Sequence, residues 1–445
     1  MNFHKTFSPG SCAGPRRRSA LLGVMVCAFG FLVLAGCASV PVASPPASSP
    51  AKSPSSETGL PAVPPPTPGE DGRIPAAAPD SFPLLKPAGW ERIPDWQYDR
   101  LVEAWPAWIQ SCRALAAKPL WKEVCGQAAL VDGSREDDVR AYFQRYFIPH
   151  EVVDPNSGRE GLVTGYYEPI IRGDRKRTSR AHYPIYGLPS DLVSVELSSL
   201  YPQLKFMRLR GRVVGNRLLP YFTREEIEKN DGGFRGEPIA WADDPVDLFF
   251  LQVQGSGRVE FPDGEHLRIG YADQNGHPFR SVARILIEQG ELRESRASMQ
   301  AVRKWGQDNP HKIAGLLNRN PSYVFFKEMP DGLSGPLGAL GVPLTEKRSI
   351  AVDPRHVPLG APMFLATTWP LSDRPLNRLV MAQDTGGAIR GAVRADFFWG
   401  CGDAAGALAG RMKQRGRAWV LMPREYATQN KLVSRGDMAG LHQAD

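Results

Sequence analysis

Two aspartates, Asp384 and Asp396, stand in the segment AQDTGGAIRGAVRADFFWG (382–400), which is otherwise small, apolar or basic. Asp is a poor strand former, so two of them in a strand-like, glycine-punctuated stretch answer a demand other than folding. Cleavage of a glycosidic bond is one such demand. It needs a carboxyl group to protonate the bridging oxygen, and usually a second carboxylate as nucleophile or to activate water. A donor Asp must have its pKa raised, which a like charge and an apolar wall both achieve. Phe397, Phe398 and Trp399 adjoin Asp396, and strand alternation puts part of that wall beside it. The TGGAIRG stretch lets the backbone approach a bulky substrate. A competing reading makes both residues Asx-turn caps at strand ends, and spacing alone leaves the two open.

Other reactive side chains carry less. His356 has no Ser or Cys nucleophile motif beside it, and Cys401 lies in GCGD without triad context. No CxxC and no pair of His at ligand spacing occurs, so no metal site is expected. No nucleotide or redox cofactor is implied either. Asp353 and Glu168 each precede a proline and read first as turn residues.

The elements that must position the aspartates belong to a chain of 445 residues, enough for two or three domains. Its 41 Pro and 44 Gly favour a loop-rich, β-rich protein over a helical bundle. Arg16, Arg17 and Arg18 followed by an apolar run over 20–35 form an export signal, too short for a stable membrane span. The signal closes on LAGC, which resembles the bacterial lipobox and makes Cys37 the expected lipidation site. Ala38, not Asp, follows it, which favours the outer membrane. Removing residues 1–36 lowers the formal charge from +7 to +3. That mild excess, with no basic helix interleaved with aromatics, argues against nucleic acid as a partner. In an oxidising periplasm Cys112 and Cys125 can close a short disulfide loop.

Residues 37–83 are dominated by Pro, Ser and Ala and read as a semi-extended tether. Helical spacing follows at Trp96, Leu101, Trp105 and Trp108, with Pro106 early in a turn. The clearest helix is expected over 134–147, capped by Ser134, with Val139, Tyr142, Phe143, Tyr146 and Phe147 on one apolar face. From 150 onward short runs read as strands: GLVTGYYEPII, RVVGNRLLPYF, DLFFLQVQGSGRVEF and HLRIGYA. Helices are expected near 279–289, 298–305 and 404–414, and a polar tail covers 424–445.

Six segments occur in one order: GYYEP (165–169), QVQGSG (252–257), NPSYVFF (320–326), GALGVPLT (338–345), AVDPRHVPLG (351–360) and AQDTGGAIRG…RADFFWG (382–400). Together they resemble the membrane-bound lytic murein transglycosylase A family. The last two hold the three aspartates of its 3D motif, Asp353, Asp384 and Asp396. The resemblance implies a mainly β protein with peripheral α-helices: a double-psi β-barrel domain (84–170 and 325–423) with an inserted second β-barrel domain (171–324) and a groove between them. It also implies cleavage of the MurNAc–GlcNAc β-1,4 bond of peptidoglycan glycan strands with a 1,6-anhydro-MurNAc product. By motif position the acid/base is Asp396 and its partner Asp384.

On that footing Thr164, Tyr166 and Tyr167 are expected to face the groove, Gln254 and Ser256 to hydrogen-bond N-acetyl or hydroxyl groups, and Lys327 and Arg394 to meet peptide or lactyl carboxylates. The anchor implies the outer membrane, facing the periplasm, and leaves open an assembly with cell-wall synthesis or hydrolase enzymes. Two other readings stand beside it. One is a peptidoglycan-binding lipoprotein without turnover; the other is a lysozyme-type hydrolase, in which water captures C1.

Overall fold

The computed structural model describes residues 82–426 apart from 155, 157, 206, 231, 295 and 296. The signal, Cys37, nearly all of the tether and most of the polar tail lie outside the described residues. The described part is mainly β with peripheral helices.

Strand β1 (Leu85–Pro87) leads into a helical layer, α1 (Trp105–Leu115), α2 (Pro119–Ala128) and α3 (Glu136–Tyr146). Pro106 and Pro119 both fall in the first turn, where no backbone donor is lost. Trp108, Trp121, Tyr142 and Phe143 interlock between the helices. Their polar edges are satisfied: Trp108 Nε1 donates to the Tyr142 hydroxyl (3.0 Å), which donates to the Val124 carbonyl (2.7 Å). The Cys112–Cys125 disulfide ties α1 to α2. Ser134 does not cap α3. Its amide and hydroxyl both donate to Asp132, and the helix starts two residues later with Glu136, Asp137 and Asp138 in the first turn, where acidic side chains meet the free amides.

After β2 (Phe147–Val152) and β3 (Gly161–Glu168) the chain enters an insert. Its strands are β4 (Ile170–Asp174), β5 (Tyr183–Tyr186), β6 (Val193–Ser194), β7 (Arg210–Val214), β8 (Arg217–Pro220), β9 (Pro238–Ala242), β10 (Ser256–Glu260), β11 (His266–Gln274) and β12 (Val324–Glu328). Six of these form a sheet in the order β12-β11-β10-β4-β9-β5, and a bridge between Gly187 and Phe326 joins its two edges. Ile171, Ile185, Val259, Ile269 and Phe326 fill its interior. Strands β6, β7 and β8 make a separate meander. Helices α4 (Arg224–Lys229), α5 (Pro245–Gln254), α6 (Val282–Glu288), α7 (Met299–Asp308) and α8 (Ile313–Asn318) complete the insert.

Two expectations change here. The run DLFFLQVQGSGRVEF is not one strand but the body of α5 followed by β10. Asp244 caps the helix by accepting from the amides of Val246 and Asp247 (2.8 and 2.9 Å), Pro245 starts it, and Gly255 ends it at φ 79°. The boundary set between 324 and 325 falls inside β12, which pairs with β11 along its length, so 325–328 run with the insert.

The chain returns as β13 (Ser349–Val352), β14 (Pro362–Thr368), β15 (Pro375–Asp384), β16 (Arg394–Cys401), α9 (Gly402–Ala409) and β17 (Lys413–Pro423). α9 is shorter than the expected 404–414 because β17 already begins at Lys413. The long β17 pairs with β3 through 413–416 and with β14 through 417–420. The order β17-β14-β15-β13-β16-β3 therefore returns to β17 and closes a six-stranded barrel. Closure leaves no edge among these strands, so their register is held from both sides. Phe364, Leu379, Phe397, Trp399 and Trp419 pack the core with almost no exposure.

Candidate active site

One rung of the barrel brings the aspartates together. Ala351 of β13 is the register partner of Asp384 on one side, in parallel β15, and of Asp396 on the other, in antiparallel β16. The rung continues to Thr164, the parallel partner of Asp396 in β3. Strand spacing sets the two aspartate Cα atoms about 9–10 Å apart. Directly opposed residues share a face, and the small Ala351 leaves the space between the carboxyls open.

Alternation sorts the neighbours. Tyr166 lies two residues beyond Thr164, and Phe398 two beyond Asp396; the rings meet at 5.2 Å between centroids. These form the apolar wall. Phe397 and Trp399, on the opposite face, are buried in the core. Tyr167 is turned the same inward way. Its hydroxyl reaches Met299, its ring packs over Gly406 of α9, and it is 7% exposed, so it lies beneath the site and does not face a sugar.

Each carboxyl has its own environment. Asp396 accepts a short hydrogen bond from the Thr164 hydroxyl, whose oxygen accepts in turn from Arg394 Nη2 (2.8 Å). Burial raises its pKa, against the hydrogen bond from Thr164 and the charge of Arg394. Asp384 accepts from the amides of Ala339 and Thr385, both at 2.9 Å. Burial pushes it up to about 6 despite those donors, and repulsion from Asp396 adds to the rise. The buried Tyr166 hydroxyl lies close to both carboxylates without a hydrogen bond of sound geometry. Burial first, then the two negative charges, raise its pKa well above that of an ordinary phenol.

Asp396 is thus no turn cap, whereas Asp384 does end its strand and hold a turn amide. The third aspartate differs from both. Asp353 is buried, yet the Arg355 guanidinium and the amides of Arg355 and Gly391 hold its carboxyl down at about 2. It pins the loop between Asp384 and Asp396 and stays ionised at physiological pH.

The remaining expected contacts scatter. Arg394 is engaged by Thr164 and by the Ala395 carbonyl, so it belongs to the hydrogen-bond chain of Asp396 and is not held out for an anion. Gln254 Oε1 accepts from the Tyr167 amide (3.1 Å), which binds α5 to β3. Ser256 opens β10, half-buried, and Lys327 is exposed on β12. Glu168 is fully buried between Arg258 (3.0 Å) and Arg268 (3.4 Å), tying the end of β3 to β10 and β11. His356 lies in the turn that follows Asp353, its amide bonded to the Asp353 carbonyl at 3.0 Å.

Sequence reasoning missed Gln383. It is fully buried, donates to the Ala107 carbonyl (2.7 Å) and the Ser111 hydroxyl (3.0 Å), and accepts from Ser349 (2.6 Å). Asp384 is therefore anchored by its neighbour to α1, next to the disulfide. A polar residue in an apolar strand, directly before the aspartate, was the available signal.

Comparison with known proteins follows the same lines. Residues 162–327 match the family described as the MltA specific insert domain, and 348–422 match the 3D domain. Membrane-bound lytic murein transglycosylase A of Escherichia coli K12 is 35% identical over 266 residues, covering 58% of this chain and 64% of that protein. The chain's match thus spans somewhat under two thirds of that relative. A crystal structure of MltA from Neisseria gonorrhoeae is 40% identical, covers 76% of this chain and 92% of its own, and superposes with a TM-score of 0.67. E. coli MltA with bound chitohexaose is 27% identical, covering 78% of this chain and 93% of its own, with a TM-score of 0.54.

Proposed function

The chain belongs to the membrane-bound lytic murein transglycosylase A family, and from that premise we propose that it cleaves the MurNAc–GlcNAc β-1,4 bond of peptidoglycan without water, leaving 1,6-anhydro-MurNAc ends. The observation that carries the reading is the rung Asp384–Ala351–Asp396, two carboxyls with raised pKa on one face of a closed barrel. Asp396 is the acid. Its proton goes to the bridging oxygen as the C1–O4 bond breaks, and the carboxylate so formed takes the proton of the MurNAc C6 hydroxyl as O6 closes on C1. One carboxyl completes both transfers. Asp384, as an anion, disfavours loss of the Asp396 proton and stabilises the positive charge developing at C1. Tyr166, whose hydroxyl has no good partner in the free protein, is placed to donate to substrate or to Asp384.

The substrate strand is proposed to lie along the barrel face that carries this rung, against the insert. The chitohexaose held by the E. coli relative supports a β-1,4-linked amino-sugar ligand. Diacylation of Cys37 would anchor the chain to the outer membrane, and about 45 extended residues of tether span at most roughly 150 Å, enough to reach the murein layer.

Product analysis tests the reading. Murein sacculi incubated with the protein should release muropeptides ending in anhydro-MurNAc, and D396N should release none. Reducing MurNAc ends would identify a hydrolase, and no products from the unaltered protein would identify a binding module.

A further inference from the structure

The cations first expected to meet the anionic part of the substrate are otherwise placed: Arg394 is engaged beside Asp396, and Lys327 stands exposed on β12 of the insert. Another arginine occupies the rim. Arg208, from the segment leading into β7, places Nη1 4.0 Å from where a Cβ on Gly387 would be, and Gly387 belongs to the loop joining Asp384 to β16. Its guanidinium lies 6.0 Å from the Tyr271 ring centroid. Among the described residues it makes no hydrogen bond or ion pair. The acid beside Tyr271 is taken, since Asp273 accepts from Arg210 Nε at 2.8 Å and from the Tyr271 hydroxyl at 3.3 Å. A half-buried arginine, oriented by an aromatic face and lacking its own counter-ion, is preorganised for an external anion.

We propose that Arg208, carried on Tyr271 against the Gly387 loop, is a carboxylate-binding site for the acidic group that MurNAc presents on its lactyl ether. This rests on the peptidoglycan reading above. The chemistry fits: the lactyl group projects from C3 of the sugar whose C1 and C6 react, so its acid, free or continued into a stem peptide, falls beside the catalytic rung. A guanidinium matches a carboxylate with paired donors. Asp273 is engaged by Arg210 and forms no ion pair with Arg208. Gly386 and Gly387 present no side chain to the arginine.

Binding to the inactive D396N protein separates the proposal from the reading beneath it. Calorimetric affinities are compared for three ligands: chitohexaose, which has no carboxylate; peptide-free GlcNAc–MurNAc oligomers with free lactyl acids; and the same oligomers bearing stem peptides. Adding R208M should weaken at least one acidic ligand about tenfold more than chitohexaose, equivalent to about 1.4 kcal/mol. R208K should restore part of the loss, and the difference should shrink at high salt. Loss on the peptide-free oligomer assigns the lactyl acid, and loss on the peptide-bearing one alone assigns the stem. Equal weakening of all three ligands, or of none, overturns the site. If D396N binds none of the three before Arg208 is touched, the peptidoglycan reading itself fails.

Discussion

Replacing Asp384 by Asn should make the protein more stable at neutral pH while disabling it. The folded-state pKa of Asp384 is about 6, raised chiefly by burial, against an ordinary 3.8. The folded protein therefore binds this proton more tightly than the unfolded chain does. Between those two values stability falls as pH rises, and above about 6.5 the full cost is present. A shift of this size corresponds to about 2–3 kcal/mol, allowing for the partial exposure of the carboxyl. Asn keeps an oxygen for the amides of Ala339 and Thr385, and its NH2 can face the Tyr166 hydroxyl, so the substitution removes the charge without orphaning a donor. For a folded part of this size the gain is about 3–4 °C in Tm at pH 7.5, vanishing near pH 3. Thermal or urea unfolding of both proteins across that range measures it. The same variant should lose about 10²-fold in kcat with little change in KM, because the anion acts on the transition state. A D384N protein that is less stable at pH 7.5, or whose gain is the same at pH 3, would refute a carboxyl held up by burial.

Other perturbations test neighbouring parts. D353N should show the opposite sign: its carboxylate is held at about 2, so it contributes about 2 kcal/mol at neutral pH that is lost only as pH falls through about 2; urea unfolding at pH 7 should show a loss of that order. T164V removes the hydroxyl that stabilises the Asp396 anion, so the alkaline limb of the pH–rate profile should move upward, whereas an unmoved limb would separate Thr164 from the acid. E168A removes the buried carboxylate that Arg258 and Arg268 share and should cost about 3–5 kcal/mol in unfolding experiments. Replacing Cys112 and Cys125 together by Ser should cost about 2–3 kcal/mol through the loop they close, read as a lower Tm under oxidising conditions.

What was legible in the sequence depended on whether the signal was local. The aspartates stood out because their type conflicts with the strand around them, whereas RVVGNRLLPYF, read as a strand run, folds back on itself as the β7–β8 hairpin at Gly215 and Asn216. Helix α5 was missed because a short, mostly apolar segment, LFFLQV (248–253), suits a buried strand or a buried helix equally. Asp244-Pro245 before it and Gly255 after it were the deciding signals. Tyr166 and Tyr167 show the limit of alternation. It says that two adjacent residues face opposite ways, but which one faces the site depends on a register with Phe398, more than two hundred residues away. Arg394 was assigned to the substrate for the same reason: its engagement with Thr164 exists only once β16 lies parallel to β3.

The three aspartates also explain why the barrel is closed at this rung. Asp396 and Asp384 are both uncomfortable as anions, and an open edge would relieve them by letting water in. Strands β3, β13, β15 and β16 each have neighbours on both sides, so the carboxyls cannot swing out with their backbone. The loop between them, 385–393, lies outside the strands and offers a route to relief. Asp353 blocks it by accepting from the Gly391 amide while the Arg355 guanidinium fixes the carboxylate in place. An ionised aspartate that never titrates in use thus keeps two titratable ones in a strained electrostatic state. On this basis D353N should lower activity out of proportion to its stability cost. The loosened loop would admit water, bring Asp384 and Asp396 back toward ordinary carboxyl pKa values, and shift the alkaline limb of the rate profile downward. A D353N protein with reduced stability but an unchanged pH–rate profile would break that link.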